Sequence, residues 1–227
     1  MNSRINELDI KLREILVTSN IRKDIILFMK EFCEKSGIIG ELSELKPMSA
    51  YRVGNVVLKL IDKPKYLRNT IEDAGINTMK LTRYAEELGL GVKFLGGYSI
   101  VVPEDMYDHE IYVMVTEYKP PVSQKFNVIT LIQKIIDSPI QIHPDFCLKN
   151  MVMDENKNVL LIDWDYYQYE TIFREHITPQ IAKKIMVDRY NGFLKGKPYG
   201  GKPSVLPACR FRPLGSRKKV KKRTRKI

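Results

Sequence analysis

Apolar and polar residues follow two different periods along the chain, which predicts a β-rich region followed by a helical one. Residues 1–37 carry apolar positions at helical spacing, and the glycines of KSGIIG end the pattern. SAYRV alternates, Gly54-Asn55 marks a turn and VVLKLI is a β-branched run, so we predict a hairpin with Lys59 in its second strand. The remaining predicted elements are a helix over 68–88 that ends at Gly89, strands over 92–102 and 111–119, a helix over 126–137, a hairpin over 151–162 and a helix over 171–194 with a break near Pro179.

The proline pair of KPPVS, residues 119–123, lies between the strand-rich and the helix-rich parts. A chain of 227 residues suits one large domain or two small lobes. We therefore predict an α+β fold with a β-rich lobe and a minimal helical lobe. The predicted divisions are a helical N-terminal extension over 1–37, an N-lobe over 38–119, a C-lobe over 120–209 and a basic tail over 210–227.

The positive charge of the chain is concentrated in the predicted tail. The net charge is +11, but residues 210–227 hold ten basic and no acidic residues, which leaves 28 basic and 27 acidic residues in the rest. Such a tail has no apolar face and is expected to be disordered when free. It either improves solubility or binds nucleic acid, an acidic partner or an import receptor, the expected contact segment being 215–227.

Three widely spaced cysteines, Cys33, Cys147 and Cys209, argue against a zinc site and favour a reducing compartment. No apolar run approaches the roughly 18 residues of a membrane helix, so no membrane contact is expected. The expected location is intracellular, cytoplasmic or nuclear, and the compact, divergent chain would suit a viral protein. The sequence leaves the oligomeric state open.

The stretch from Ile142 to Asp165, IHPDFCLKNMVMDENKNVLLIDWD, sets carboxylate and amide groups between apolar runs. The predicted hairpin over 151–162 returns Asp163 to the neighbourhood of Asn150, so Asp145, Asn150 and Asp163 are expected to converge. Burying such groups together costs several kcal/mol unless they are paired. A divalent cation with oxygen ligands is the natural partner, and magnesium favours one or two carboxylates with substrate phosphates.

These spacings resemble the protein-kinase-like superfamily. His143, Asp145 and Asn150 form the pattern H-x-D-x-x-x-x-N, and Asp163 lies eighteen residues after Asp145. NVVLKLI resembles the strand that carries the ATP-binding lysine, and IYVMVTEYKPP resembles the hinge between the lobes. The elements between about residues 41 and 167 also occur in the superfamily's order. The resemblance implies a two-lobed kinase-like fold that uses ATP and Mg2+.

The resemblance also implies roles for particular residues. Asp145 would orient the acceptor hydroxyl or accept its proton, with Lys149 and His143 in the same loop, although His143 is expected to brace the loop rather than do chemistry. Asn150 and Asp163 would bind the metal. The residues expected to bind the nucleotide are Lys59, its partner Glu72 with Asn77 also in range, Glu117 and Tyr118 at the adenine position, and Ser49.

The chain departs from the protein kinases at three points. No glycine-rich phosphate loop precedes Lys59, and backbone amides together with the Ser49 hydroxyl are expected to replace it. Trp164-Asp165 follows the metal aspartate, as in the aminoglycoside and choline phosphotransferases. No activation segment is recognisable, which is similar to the RIO kinases and to the small kinase of the KEOPS complex.

Three functions are compatible with these patterns. The leading hypothesis is a compact atypical protein Ser/Thr kinase, with a protein substrate. The first alternative is a small-molecule kinase of the aminoglycoside or choline phosphotransferase type. The second alternative is a kinase-like adaptor without activity that binds nucleic acid or a complex through its basic tail.

Overall fold

The computed structural model describes residues 2–21, 23–62, 74–101, 111–124, 126–173 and 177–194. The predicted basic tail, Cys209, Glu72 and the predicted start of the third helix at residues 68–73 lie outside these ranges. The helices are α1 (Asn2–Glu7), α2 (Ile25–Ser36), α3 (Ala74–Glu87), α4 (Val128–Asp137), α5 (Tyr166–Phe173) and α6 (Pro179–Leu194). The strands are β1 (Leu12–Leu16), β2 (Leu42–Lys46), β3 (Ala50–Val53), β4 (Val56–Asp62), β5 (Phe94–Val101), β6 (Ile111–Glu117), β7 (Met151–Met153) and β8 (Val159–Leu161).

The first lobe is built on a six-stranded sheet with the strand order β1-β5-β6-β4-β3-β2. Neighbouring strands are antiparallel except β1, which pairs with β5 in parallel. The predicted hairpin is confirmed as β3 and β4, joined by a two-residue turn in which Gly54 has φ 57°. A positive φ at this position is what a tight hairpin turn requires and what glycine adopts without steric cost.

The prediction of a fully helical N-terminal extension is wrong for Leu12–Leu16, which forms β1. Ile10 and Leu12 pack near Met79 and Met114 on one side of the sheet, whereas Ile15 packs against the cluster on the other side. Residues two apart on one face follow the period of a strand. Pairing with β5 supplies the backbone hydrogen bonds of this segment, and tertiary pairing of this kind overrides a helix-like local pattern.

Two apolar layers cover the sheet. Phe28, Met29 and Phe32 of α2 pack with Tyr51 and Leu58 on one side, so part of the N-terminal extension belongs to the core of the sheet. On the other side, Met79 of α3 packs with Tyr112 and Met114, which are buried residues of β6. Leu81, Tyr84 and Ala85, on the next turns of α3, pack instead into the helical lobe. Helix α3 therefore contributes to the cores of both lobes.

The helical lobe contains α4, α5, α6 and the two-stranded β7–β8 sheet. As predicted, Gly89 ends α3 with φ 63°, and a new helix begins at Pro179, where Thr178 caps it. The helix predicted to begin at residue 171 begins earlier, at Tyr166, because the Asp165 carboxylate accepts the Gln168 N–H and caps α5. The predicted α+β class with a β-rich and a small helical lobe is confirmed. In the part of the chain that the structure describes, no helix has both the length and the apolar character to cross a membrane.

Candidate active site

The His143 loop, residues 143–150, lies between α4 and β7 and ends in a 3-10 turn over Leu148–Asn150. His143, Asp145 and Asn150 are all buried, in a protein whose other buried side chains are mostly apolar. Burial of polar groups is costly unless hydrogen bonds compensate for it. The loop therefore depends on the internal contacts described next.

His143 forms hydrogen bonds with two backbone segments of this site, one at Asp145 and one at Ile162. Its Nδ1 accepts the Asp145 backbone N–H at 3.1 Å, and its Nε2 lies 3.0 Å from Ile162 O, so Nε2 carries the proton of the neutral ring. The ring also packs edge-on against Trp164, with ring centroids 4.3 Å apart. Burial lowers the pKa of His143 to about 4. A neutral ring that bonds only to backbone atoms fits the expected bracing role.

Asp145 and Asn150 are directly bonded. Asn150 Nδ2 donates to both the Asp145 backbone oxygen and Oδ2, each at 2.9 Å. Because both bonds use the nitrogen, the carbonyl oxygen Oδ1 is the atom of this amide that can bind a cation. Lys149 Nζ lies 3.2 Å from Asp145 Oδ2 on a half-exposed side chain. Burial lowers the pKa of Lys149, but the Asp145 carboxylate outweighs this effect and raises it.

Asp163 follows β8 and lies next to the His143 loop, because the Ile162 N–H donates to Asn150 O at 3.0 Å. Its φ of 65° is in the left-handed region, which aspartate tolerates better than most residues and which is frequent at functional sites. Its carboxylate forms an ion pair with the Lys59 ammonium. Burial would raise the pKa of Asp163, but Lys59, with a smaller contribution from Lys46, lowers it. The carboxylate is therefore held in its charged form.

Lys59 occupies the middle of β4, paired with Ala50 of β3 and Met114 of β6. A lysine in a strand usually faces solvent. This side chain is only 24% exposed and meets a carboxylate 104 residues further along the chain. The structure thus brings Lys59 to Asp163, and the sequence prediction of Glu72 as its partner lies outside the described residues.

The predicted adenine-binding residues lie at the end of β6. The Glu117 N–H donates to Lys93 O at 2.9 Å and the Tyr118 N–H to Asn55 O at 2.8 Å, so neither donor is available to a base. Two prolines without N–H groups follow Lys119. Of residues 117–121, all within the described chain, only Lys119 has a backbone N–H that no backbone oxygen accepts. Sequence inspection missed this donor.

Side-chain contacts also hold residues 117–119 in place. Lys119 Nζ lies 2.8 Å from Glu117 Oε1 and 2.7 Å from Glu155 Oε1, which raises the pKa of Lys119. The Arg52 guanidinium carbon lies 3.7 Å above the Tyr118 ring. These contacts connect the end of β6 to both the β7–β8 turn and the β3 strand.

Ser49 belongs to the 46–49 turn, which consists of the last residue of β2 and the three residues that join it to β3. Its Oγ is the only buried side-chain nitrogen or oxygen of the described residues that lacks a hydrogen-bond partner. The expectation that backbone amides here contact phosphate is wrong for residues 47–49. Pro47 has no N–H, Met48 N donates to Glu44 Oε1 at 3.0 Å, and Ser49 N donates to Lys46 O at 3.1 Å.

The oxygen atoms of Asp163 and Asn150 are of the kinds that bind Mg2+ in proteins. Over the described residues, no group of three or more His, Cys, Asp or Glu side chains could hold a metal ion. The site instead offers one charged carboxylate, Asp163, and one amide oxygen, that of Asn150. Such a set suits a cation that completes its octahedron with substrate phosphates, as Mg2+ commonly does.

No protein-family model matches the chain, and no curated protein matches it. The solved structures that match include the choline kinase LicA from Streptococcus pneumoniae, which is 15% identical. This likeness covers 74% of the present chain and 88% of LicA, with a TM-score of 0.34. A TM-score this low supports neither an assignment of fold nor one of function. The interpretation of the site therefore rests on its own residues.

Proposed function

We propose that this protein is a magnesium-dependent phosphotransferase that moves the terminal phosphate of ATP to a hydroxyl group. The ion pair between Lys59 and Asp163 carries the proposal. It joins the sheet of the first lobe to the buried loop that holds Asp145 and Asn150. The element order and the residue spacings of the kinase-like superfamily support the same function.

Each candidate site residue has its own role in the proposed reaction. Asp145, whose side chain is 13% exposed, orients the acceptor hydroxyl and takes its proton as the hydroxyl oxygen bonds to the terminal phosphorus. The bond between that phosphorus and the bridging oxygen of ADP breaks, and ADP leaves. Lys59 binds the phosphates of the nucleotide, and His143 positions Asp145 through its backbone N–H. Lys149, whose Nζ lies 3.2 Å from Asp145 Oδ2, places a positive charge beside this carboxylate.

Asn150 Oδ1 and the Asp163 carboxylate would hold Mg2+. When bound, the ion neutralises the negative charge that develops on the transferred phosphate. Lys59 pairs with Asp163 in the described arrangement and would be available to the nucleotide phosphates with Mg2+ on that carboxylate.

The test is labelling with radioactive ATP and Mg2+, using the full chain and separate pools of basic proteins and of small amines and alcohols. Asp163→Ala should lower transfer at least about a hundredfold, since it removes a group that stabilises charge in the transition state. The matched control is Asp137→Ala, an exposed carboxylate at the end of α4, which should leave transfer unchanged. A wild-type protein that shows no thermal shift with Mg2+ and ATP would contradict the proposal and leave the adaptor alternative.

The two acceptor pools separate the candidate substrates. Only Trp164 and Asp165 lie between Asp163 and α5, so the described chain offers no activation segment on which a peptide would dock. This observation favours the small-molecule alternative over the protein Ser/Thr kinase. Label on protein that Asp163→Ala removes would support the protein substrate, and label on an added metabolite would support the small molecule.

The basic tail is proposed to act separately from catalysis. Deleting residues 215–227 should leave ATP binding unchanged and abolish salt-sensitive binding to nucleic acid, because that segment holds most of the excess positive charge. Binding to a DNA or RNA duplex, measured at two salt concentrations with and without the tail, tests this. Equal binding by both chains would refute the assignment.

A further inference from the structure

Asp163 begins the short turn that leads from β8 into α5. The Asp165 N–H donates to Asp163 O at 3.0 Å and closes this three-residue turn. Trp164, the middle residue, is buried, and its Nε1–H donates to Leu161 O at 3.1 Å. The left-handed φ of 65° at Asp163 costs free energy, so the conformation persists only where the surrounding structure imposes it.

A side chain of α3 holds the other end of this turn. The Thr78 hydroxyl accepts the Tyr166 backbone N–H at 3.2 Å, and these two buried residues are 88 positions apart in the chain. Tyr166 is the first residue of α5, and N–H groups in the first turn of a helix have no acceptor within that helix. A buried N–H without an acceptor is costly, so the Thr78 hydroxyl stabilises the start of α5, three residues after Asp163.

The position of Thr78 is itself fixed by packing, because its neighbours on α3 belong to the cores of both lobes. Met79 packs on the sheet side, and Leu81 packs into the helical lobe. The backbone oxygen of Thr78 also accepts the Thr82 hydroxyl at 2.8 Å, within the helix. The Thr78 hydroxyl therefore connects a firmly packed helix to the turn that carries Asp163.

We propose that Thr78 is a positioning residue of the phosphotransferase, which keeps the Asp163 carboxylate in place by accepting the Tyr166 N–H. The inference rests on the proposed function, because it concerns the same site. Thr78 acts through the backbone of the turn and not on substrate. Its loss should therefore displace Asp163 without removing any group that bonds to the nucleotide or to the acceptor.

The experiment compares Thr78→Val with Thr82→Val in the full chain. Both changes replace a hydroxyl by a methyl group at buried positions one turn apart on α3. Thr78→Val should lower kcat for phosphate transfer, and raise the Mg2+ concentration that gives half-maximal transfer, each about tenfold or more, because small displacements of an active-site group are costly. Thr82→Val should change neither quantity, because the hydroxyl it removes bonds only within α3 in the contact described above.

Two further measurements distinguish positioning from a general loss of stability. Thr78→Ser keeps the hydroxyl and should restore most of the kcat and of the Mg2+ requirement. Without metal or nucleotide, hydrogen exchange of the Tyr166 amide should be slow in the wild type and in Thr82→Val, and faster in Thr78→Val. Urea unfolding of every variant identifies the conditions in which each is folded, and the rates are compared there.

The outcomes separate this inference from the proposed function. If the wild type transfers phosphate and Thr78→Val does so with unchanged kcat and Mg2+ requirement, or if both valine variants lose activity equally, the inference is wrong and the proposed function stands. Rapid exchange of the Tyr166 amide in the wild type would overturn the inference in the same way. If Thr78→Val does not fold, Thr78→Ala and Thr82→Ala replace the valine pair with the same expected results. If the wild type transfers no phosphate, both fail together.

Discussion

The His143 loop and the 46–49 turn act on the same Lys59–Asp163 ion pair from different lobes, but different contacts hold them in place. In the loop, buried polar groups bond to one another and to backbone atoms within about twenty residues, as His143 does to Asp145 and Ile162. The turn is mostly exposed, and it is held by the Glu44 carboxylate, which accepts the Met48 N–H, and by two backbone bonds, from Ser49 N–H to Lys46 O and from Leu60 N–H to Ser49 O.

This difference predicts different effects of substitution. The contacts of the loop hold Asp145 and Asn150 in a fixed geometry, which the proposed proton transfer and metal binding would require. The turn is exposed and has fewer internal contacts. Changes in the loop should therefore affect chemistry and stability strongly, whereas changes in the turn should affect stability only moderately.

The largest expected effect comes from the loop. Asp145→Asn should lower kcat by roughly a thousandfold, because a general base contributes about 10²–10⁴-fold to rate, and should leave ATP binding nearly unchanged. Single-turnover transfer and calorimetric ATP binding measure the two quantities. A variant that retains wild-type kcat would show that Asp145 does not serve the acceptor.

The next effect concerns pH and the buried ring. The folded pKa of His143, about 4, lies below its unfolded value near 6.5, so the unfolded chain binds the proton more tightly. Its contribution to stability is present above pH 6.5 and is lost as the pH falls toward 4, up to about 3 kcal/mol. Urea unfolding of the wild type and His143→Gln across this range measures it. Parallel pH profiles would contradict the assignment.

A smaller effect is expected where the two lobes meet. Lys59→Met should weaken ATP binding about tenfold to a hundredfold and raise the pKa of Asp163, because the carboxylate loses its main cation. Calorimetry measures the affinity, and carboxylate titration by NMR measures the pKa, with Lys30→Met as the control. An unchanged pKa of Asp163 would show that the ion pair does not form in solution.

The smallest effect concerns the turn itself. Glu44→Ala removes the acceptor of the Met48 N–H and the Tyr51 hydroxyl, so it should lower the free energy of unfolding by about 1 kcal/mol. Urea unfolding measures the loss, and Glu41→Ala, an exposed residue just before the same strand, is the control. A loss as large as that expected for His143 would remove the contrast between turn and loop.

Much of this arrangement could be predicted from local patterns. The β3–β4 hairpin, the β7–β8 hairpin and the helix end at Gly89 follow from alternation, turn residues and a capping glycine, all of which act within a few residues. The convergence of Asp145, Asn150 and Asp163 follows for the same reason, since one short hairpin joins them. The error at β1 has the opposite cause, because its hydrogen bonds come from β5, more than eighty residues away.

The sequence by itself determined which residues carry the candidate chemistry, because their spacing is set by short loops and by one hairpin. The tertiary structure decided three further points: that Lys59 meets Asp163, that the N–H groups of Glu117 and Tyr118 are already bonded, and that those of Met48 and Ser49 are bonded as well. The first two, the ion pair and the backbone hydrogen bonds of Glu117 and Tyr118, connect residues far apart in the chain. Local periodicity cannot predict such contacts, because they depend on how the packed sheet and the helical lobe bring distant backbone segments together.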